Sequence, residues 1–172
     1  EFLAKLQAQT NPPVSMRVAA TVRNGSQVAA SAALVDSGNL YRNAISIDFA
    51  RRIGIRPEDI APLPVTSVGT AQRGASMRII GEPKKELSLM LGSHPTIVRF
   101  KPVILAGLCS EIILSGPFLQ RYNIDQLHSR RALRFQGRLI DLLPSDISGP
   151  ISIDDHHQMI ANVVVENKSV TQ

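Results

Sequence analysis

Two runs of alternating apolar residues around the dipeptide Asn24-Gly25 constrain the fold of this chain more than any other feature. A period of two is typical of a β-strand with one buried face, and Asn-Gly favours the tight primed turn of a hairpin. The sequence therefore predicts a β-hairpin followed by more strands. The two runs are Met16, Val18, Ala20 and Val22, then Val28, Ala30, Ala32 and Leu34.

The second strand of this hairpin runs into Asp36-Ser37-Gly38. This tripeptide alone is common in turns. Here an apolar segment, residues 33–35, delivers Asp36 to a strand exit, where we expect it on the floor of a cleft. Ser37 can hydrogen-bond across the loop, and Gly38 lets the backbone approach closely. Asp36 is therefore a candidate catalytic carboxylate.

The remaining pattern predicts an all-β domain of short strands with one or two short helices. A helix is expected from Ile47 to Ile53, capped by Ser46 or Asp48 and ended by Gly54. A second helical turn or two is expected at 116–122. Strands are expected at 65–68, 77–80, 87–91, 96–105, 111–114, 133–135 and 139–143.

Proline-rich breaks set the expected domain limits. Asn11-Pro12-Pro13 ends a short lead, so residues 1–13 are predicted to be an N-terminal arm and residues 14–144 the folded domain. Beyond Pro144, residues 145–172 are predicted to be a linker and a polar tail.

Composition narrows the classes of protein further. Aromatic residues make up only 4% of the 172 residues, so the core is expected to be aliphatic. Cys109 is the single cysteine, which excludes an internal disulfide, favours a reducing intracellular setting and is expected to be a small buried residue. No apolar run approaches the roughly 20 residues of a membrane span, so no membrane contact is expected.

The positive charge could indicate a nucleic-acid interface, and the histidines could indicate a metal site, but we expect neither. The net charge is +5, but the Lys and Arg residues are dispersed, so they predict solvated surface rather than a nucleic-acid interface. Asp154-Asp155-His156-His157 could bind a metal, yet consecutive side chains point in different directions. We expect neither a metal nor a cofactor.

A later segment, residues 111–119 (EIILSGPFL), is an apolar strand running into a glycine and a short helix. Together with Val35-Asp36-Ser37-Gly38 it resembles the retropepsin family, the single-lobe aspartic proteases of retroviruses and long-terminal-repeat retrotransposons. In that family, a later apolar-apolar-Gly segment opens a helix and braces the active-site loop. Here Ile113-Leu114-Ser115-Gly116 matches it with one extra residue before the glycine. The resemblance runs in order from Met16 to Leu143.

This resemblance implies a single-lobe, closed-barrel fold with a β-hairpin flap, formed here by residues 66–76. It implies a homodimeric aspartic endopeptidase that processes a polyprotein, in the cytoplasm or within a virus-like particle. Asp36, Ser37 and Gly38 would form the catalytic loop. The implied substrate contacts are Asn39, Val68, Gly69, Thr70, Ala71, Gly74, Leu114 and Gly116.

The chemistry needs two carboxylates that share a proton, and the chain has one Asp-Ser/Thr-Gly. Asp146-Ile147-Ser148-Gly149 contains an inserted residue and follows no apolar strand, so a second subunit is expected to supply the partner. Asn39 stands where the family usually has Ala, and its amide is expected near the substrate. The alternatives are a non-catalytic dimerisation or peptide-binding module and, third, a basic nucleic-acid-binding β-barrel.

Overall fold

The structure, a computed structural model, describes residues 16–69 and 76–153. These ranges are mostly β-strand, with two short helices, α1 (Ile47–Arg52) and α2 (Gly116–Arg121), and single 3-10 turns at Pro57–Asp59 and His128–Arg130. The strands are β1 (Arg17–Asn24), β2 (Gln27–Asp36), β3 (Ala44–Ser46), β4 (Ile60–Ala61), β5 (Ser67–Gly69), β6 (Ser76–Pro83), β7 (Leu87–Leu91), β8 (Val98–Phe100), β9 (Val103–Ala106), β10 (Ile112–Ser115), β11 (Asp125–Leu127), β12 (Ala132–Phe135), β13 (Arg138–Asp141) and β14 (Pro150–Ile151).

Eleven of the described strands form one sheet around the core. Their order is β4-β6-β9-β3-β10-β2-β1-β7-β8, with β5 added to β6 and β14 added to β2, while β11, β12 and β13 form a second, small sheet. Within the described ranges, β4 and β8 at the two ends are not paired with each other. The predicted barrel therefore takes the form of a curled sheet.

The hairpin of β1 and β2 forms as predicted, but its turn lies one residue further along. Asn24 pairs with Gln27. The central turn residues are therefore Gly25 and Ser26. Gly25 has a φ of +59°, whereas Ser26 does not have a positive φ, which is the pattern of a type II′ turn. Glycine suits the first position because other residues avoid positive φ there.

The register of this hairpin decides which face of β2 meets the main core. Val22 pairs with Ala29, and both residues belong to that core. The odd-numbered residues of β2 therefore face it, while the alanines of the even-numbered run 28–34 are buried on the other face. A shift of one residue exchanges the two faces of a strand. Val35 accordingly joins the main core, and Asp36 lies on the opposite face.

The central strands separate the main core from a smaller apolar cluster. In β10, Ile112 and Leu114 join the main core, and Ile113 between them packs against the smaller cluster. The smaller cluster contains Ala44, Ile79, Val103 and Leu105, with Leu63, Val68, Met77, Leu108 and Ile113 packed against it. Because Asp36 is on this second face, the sheet presents the aspartate beside an apolar surface.

The strand predicted at 96–105 is two strands, because Pro102 interrupts it. Lys101 and Pro102 are not in a strand, and proline has no N–H to donate to a ladder. β8 pairs with β7 at one end of the sheet, whereas β9 pairs with β3 and β6 near the other end. Because of this break, residues 98–106 contribute strands to two distant parts of the sheet.

A short strand forms within the segment predicted to be a linker. In β14, Pro150 pairs with Ser31 of β2, and the Ala32 N–H donates to the Gly149 carbonyl oxygen (2.9 Å). β14 and β10 thus use successive stretches of the same edge of β2. The sheet continues past Pro144, while the domain limits at 13/14 and 144/145 stay predictions.

The prediction that Cys109 is buried is wrong, since the structure places it at the surface. β9 ends at Ala106, and Gly107 adopts a φ of +83°, which turns the chain away from the sheet. Leu108 packs against the smaller apolar cluster, and Cys109 then faces solvent. Of the apolar neighbours that suggested burial, Ala106 ends β9 and Leu108 contacts the cluster, but these contacts do not extend to Cys109.

His94 connects the small sheet to the large one. Its ring stacks on Phe135 of β12 with centroids 4.5 Å apart. Its Nε2 lies 3.0 Å from the Phe135 carbonyl oxygen, and its Nδ1 accepts the Thr96 N–H (3.2 Å). Because Nδ1 accepts, the neutral ring carries its proton on Nε2 and donates it to Phe135.

Burial lowers the pKa of His94 below its ordinary value of 6.5. The residue is only 4% exposed, so its charged form loses solvation. The Arg138 guanidinium lowers the pKa further, while the hydrogen bond to the Phe135 carbonyl opposes the shift. A proton on Nδ1 would also face the Thr96 N–H, donor against donor. His94 therefore favours the neutral state in the folded chain.

We expect acid to destabilise the fold through His94. Below pH 6.5 the unfolded chain takes up a proton that folded His94 resists, so the free energy of unfolding falls as pH falls, by up to about 1.4 kcal/mol per pH unit. This contribution is fully present above pH 6.5 and is lost as pH falls towards the folded-state pKa. His94→Gln should remove this part of the pH dependence in urea titrations above and below pH 6.5.

The matched control is His128→Gln, since His128 is exposed. That variant should keep the pH dependence of the parent chain. An unchanged pH dependence in His94→Gln, with folding retained, would contradict the role given to His94.

Candidate active site

Asp36 ends β2 on the face opposite the main core. It pairs in parallel register with Ser115 at the end of β10, so the two strand ends lie side by side. Its side chain is half-buried and lines a cleft of about 880 Å³. The Asn39 N–H donates to the Asp36 carbonyl oxygen (3.1 Å), which closes a tight turn directly after the aspartate. Asp36 thus lies at the C-terminal end of a strand and borders a cleft.

The rest of this cleft is largely apolar. Its floor is the second face of the sheet, where Ala44, Leu105 and Ile113 line it. Val68 and Met77, from the hairpin of β5 and β6, also line the cleft. An apolar cleft with few polar groups suits a ligand that buries apolar side chains and is oriented by a small number of polar contacts.

The hairpin of β5 and β6 is the stem of the predicted flap. Gly69 pairs with Ser76, and both Val68 and Gly69 line the cleft. The stem therefore borders the cleft that holds Asp36. Three predicted substrate contacts at the tip lie outside the described residues: Thr70, Ala71 and Gly74.

Gly116, the first residue of α2, supports the loop that follows Asp36. Its N–H donates to the Asn39 carbonyl oxygen (2.8 Å). A Cβ at this position would lie 2.6 Å from the Ser37 carbonyl oxygen and 3.3 Å from that of Asn39. No side chain fits into this space, so glycine allows the loop to rest on the start of the helix. This contact matches the bracing that the family resemblance implies.

Ser115, the extra residue before Gly116, begins α2 as its N-cap. Its Oγ accepts the Phe118 N–H (3.4 Å) and lies 3.1 Å from Asn43 Oδ1, which also accepts the Ser115 N–H (2.8 Å). Because that amide oxygen only accepts, the Ser115 hydroxyl donates to it. Ser115 is fully buried and ties the start of β3 to the end of β10. The local helix geometry is therefore satisfied despite the extra residue.

Asn39 uses its side chain within the loop. Its Nδ2 donates to the Arg42 carbonyl oxygen (3.0 Å), and its Oδ1 accepts the Tyr41 N–H (3.0 Å). Asn39 lines the cleft, but both ends of its amide already have partners. The amide thus shapes the loop, and because it keeps a second N–H and a second oxygen lone pair, its contact with a substrate stays a prediction.

Gly38 lines the cleft with Asp36, but three other predicted site residues in the described ranges do not: Ser37, Leu114 and Gly116. Ser37 is exposed and borders a separate depression with Gly116. Leu114 is fully buried in the main core, because it alternates with Ile113, the residue that lines the cleft. Leu114 supports the site from behind and is not placed to touch a substrate.

The sequence reasoning missed Arg42, Asn43 and Ile113. Arg42 and Ile113 line the cleft, and Asn43 accepts the hydrogen bonds of Ser115. The signal for Ile113 was available, since alternation puts it on the face opposite Leu114. The other two precede β3, which has only three residues and shows no recognisable period.

In 16–69 and 76–153 no group of three or more His, Cys, Asp or Glu side chains is placed to hold a metal ion. Across the same ranges no helix has the length and apolar character to cross a membrane. The sequence Asp154-Asp155-His156-His157 lies outside them.

The fold is similar to a solved structure, the retroviral protease-like domain of Ddi1 from Leishmania major. The TM-score is 0.60, the sequence identity is 16%, and the match covers 77% of this chain and 97% of that domain. At this identity the likeness shows the fold alone. The likeness confirms the predicted retropepsin-like fold. No protein-family model matches the chain, and no curated protein matches it in sequence.

Proposed function

We propose that this chain is an aspartic endopeptidase that acts as a homodimer, with one Asp36 from each subunit. The observation that carries the proposal is the position of Asp36, which ends a strand in an apolar cleft while its loop rests on Gly116. The fold neighbour is described as a retroviral protease-like domain. Together with the motif resemblance, this supports processing of a polyprotein inside a cell or a virus-like particle.

A second subunit is required because one chain supplies too few carboxylates. Asp36 is the only acid among the described residues that line the cleft. Leu40 and Tyr41, on the loop that follows, are 82% and 40% exposed. Exposed apolar side chains beside an incomplete site favour burial against another molecule, and a two-fold dimer is the commonest arrangement.

The mechanism follows from two Asp36 carboxylates that share one proton. The ionised carboxylate takes a proton from a water molecule, whose oxygen attacks the carbonyl carbon of the peptide bond. The protonated carboxylate donates its proton to the carbonyl oxygen, which gives a neutral tetrahedral intermediate. Breakdown of the carbon–nitrogen bond, with proton transfer to the leaving nitrogen, releases the two products.

The arrangement of the basic residues gives no comparable support to nucleic-acid binding. Among the residues that the structure describes, five arginines lie within ion-pair distance of acidic side chains: Arg42, Arg51, Arg52, Arg56 and Arg134. Part of the positive charge is thereby neutralised in pairs instead of forming a stripe that could follow a phosphate backbone.

We expect cleavage per chain to fall on dilution, because dissociation separates the two Asp36 residues. Sedimentation velocity and cleavage of a peptide library, measured over one concentration series, test this directly. The loss of activity should follow the loss of dimer, with an inactive monomer at the dilute end.

A monomer with full activity would defeat the shared-site mechanism. A dimer without activity towards any library peptide, at acidic and neutral pH, would favour the non-catalytic binding module. Tight, salt-sensitive RNA or DNA binding without cleavage would favour the nucleic-acid-binding barrel.

A further inference from the structure

Arg42 is the only cation among the described residues that line the cleft. The other lining residues, apart from Asp36, are apolar, glycine or neutral polar residues. A single positive group in such a surface can discriminate between ligands more strongly than any of its neutral neighbours.

The guanidinium of Arg42 is held through one of its nitrogens, Nη2. Its Nη2 donates to Glu82 Oε2 (2.5 Å) and to the Lys101 carbonyl oxygen (2.6 Å). Glu82, on β6, does not line the cleft. The side chains of Arg42 and Glu82 are 32% and 21% exposed, so the pair is partly shielded from solvent. The guanidinium is therefore anchored, and it loses little freedom when it binds a further group.

Other N–H groups of the same guanidinium are available. Within the described residues, Nε and Nη1 of Arg42 make no hydrogen bond, although guanidinium has five N–H donors in a planar fork. Both edges through which an arginine binds a carboxylate by two parallel bonds include Nη2, so a carboxylate oxygen would here accept a single charge-assisted hydrogen bond from Nη1 or Nε. Because Glu82 neutralises part of the Arg42 charge, Arg42 selects a ligand by direct contact and not by long-range attraction.

We infer that Arg42 is a specificity-determining residue, which selects peptides that carry an Asp or Glu side chain beside the apolar residues held in the cleft. The inference rests on the proposed function, because it assigns the substrate class of the same cleft. It predicts a mixed recognition sequence, apolar at the cleft floor and acidic at one flanking position.

The test uses dodecapeptides with a central apolar pair and with Glu, Gln or Lys at each flanking position in turn. Binding is measured by fluorescence anisotropy in the Asp36→Asn background, and cleavage is measured in the parent chain. At one position, Glu should be preferred over Gln by about tenfold, as expected for a partly exposed charge-assisted hydrogen bond. Arg42→Gln should abolish this preference, and Arg42→Lys should keep only part of it.

Two matched variants separate specificity from stability. Lys101→Gln removes a neighbouring exposed cation whose side chain does not line the cleft, and it should leave the Glu preference intact. The double variant Arg42→Glu/Glu82→Arg keeps an ion pair but places the acid on the cleft side. It should invert the preference, so that Lys binds better than Glu.

The outcomes also distinguish this inference from the proposed function. Binding that prefers Glu and depends on Arg42, without any cleavage, would support the inference and defeat the protease. Cleavage with no acidic preference, or with a preference that survives Arg42→Gln, would overturn the inference alone. Failure of every peptide to bind and to be cleaved would overturn both.

Discussion

Replacing Asp36 with Asn is expected to abolish peptide cleavage while leaving the fold intact. Asparagine has nearly the same size, so the turn after β2 and the contact of the loop with Gly116 can persist. It cannot share a proton with a second carboxylate or take one from water. General acid and base catalysis contributes roughly 10²–10⁴-fold to such reactions, and both functions are lost together, so a fall of at least this size is expected.

The control for this experiment is Asp146→Asn. Asp146 is exposed and belongs to the only other segment that resembles Asp-Ser-Gly, yet it follows no apolar strand. This variant should cleave the cognate peptide like the parent chain, and both variants should sediment as dimers. Undiminished cleavage by a folded Asp36→Asn chain would move catalysis to another residue.

Replacing Gly116 with Ala adds one methyl group and is expected to reduce peptide cleavage nearly as much as Asp36→Asn. The effect is expected although Gly116 is at the start of a helix. Elsewhere in a helix, Gly→Ala stabilises by about 0.5–1 kcal/mol. Here the new Cβ would lie 2.6 Å from the Ser37 carbonyl oxygen, a backbone atom that cannot rotate away. Overpacking of this kind costs about 1–3 kcal/mol, so Gly116→Ala should destabilise the chain.

Gly116→Ala should also lower the rate of cleavage by more than the loss of folded protein can explain. The chain can relieve the overlap by moving the loop that starts at Asp36, and a displacement of about 1 Å at a catalytic group can cost on the order of 10²-fold in rate. Denaturant unfolding and peptide cleavage, measured on the same preparations, separate the two effects.

Gly69→Ala is the matched control for Gly116→Ala. An added Cβ at Gly69 meets no described atom within 4 Å, and Gly69 does not have a positive φ. Its stability should stay close to that of the parent chain. If Gly116→Ala has parent-like stability and parent-like cleavage, the loop does not depend on the glycine contact.

Local sequence patterns predicted the elements of this site well. The hairpin of β1 and β2, the strand β7 at 87–91 and the helix ended by Gly54 all formed close to the expected positions. Each of these depends on residues a few positions apart, such as the Ser46 side chain that accepts the Phe49 N–H. Such contacts are encoded in short stretches of sequence, so they can be inferred without the rest of the chain.

The parts that could not be predicted depend on partners far away in sequence. Arg42 and Glu82 are forty positions apart, and Asn43 and Ser115 are seventy-two positions apart. No local period or turn signal connects such pairs. The sequence showed polar residues at positions 42 and 43. Only the pairing of β3 with β9 and β10 places these two residues next to their partners.

By itself, the sequence determined that an apolar strand ends at Asp36 and that a glycine begins a helix some eighty residues later. Only the tertiary structure decided which face of that strand the aspartate occupies. The hairpin has a two-residue turn, which pairs even-numbered residues of β1 with odd-numbered residues of β2, and a turn longer by one residue would have exchanged the two faces of β2. The register depends on packing against the whole core, because both faces of β2 carry small apolar residues that local alternation cannot distinguish.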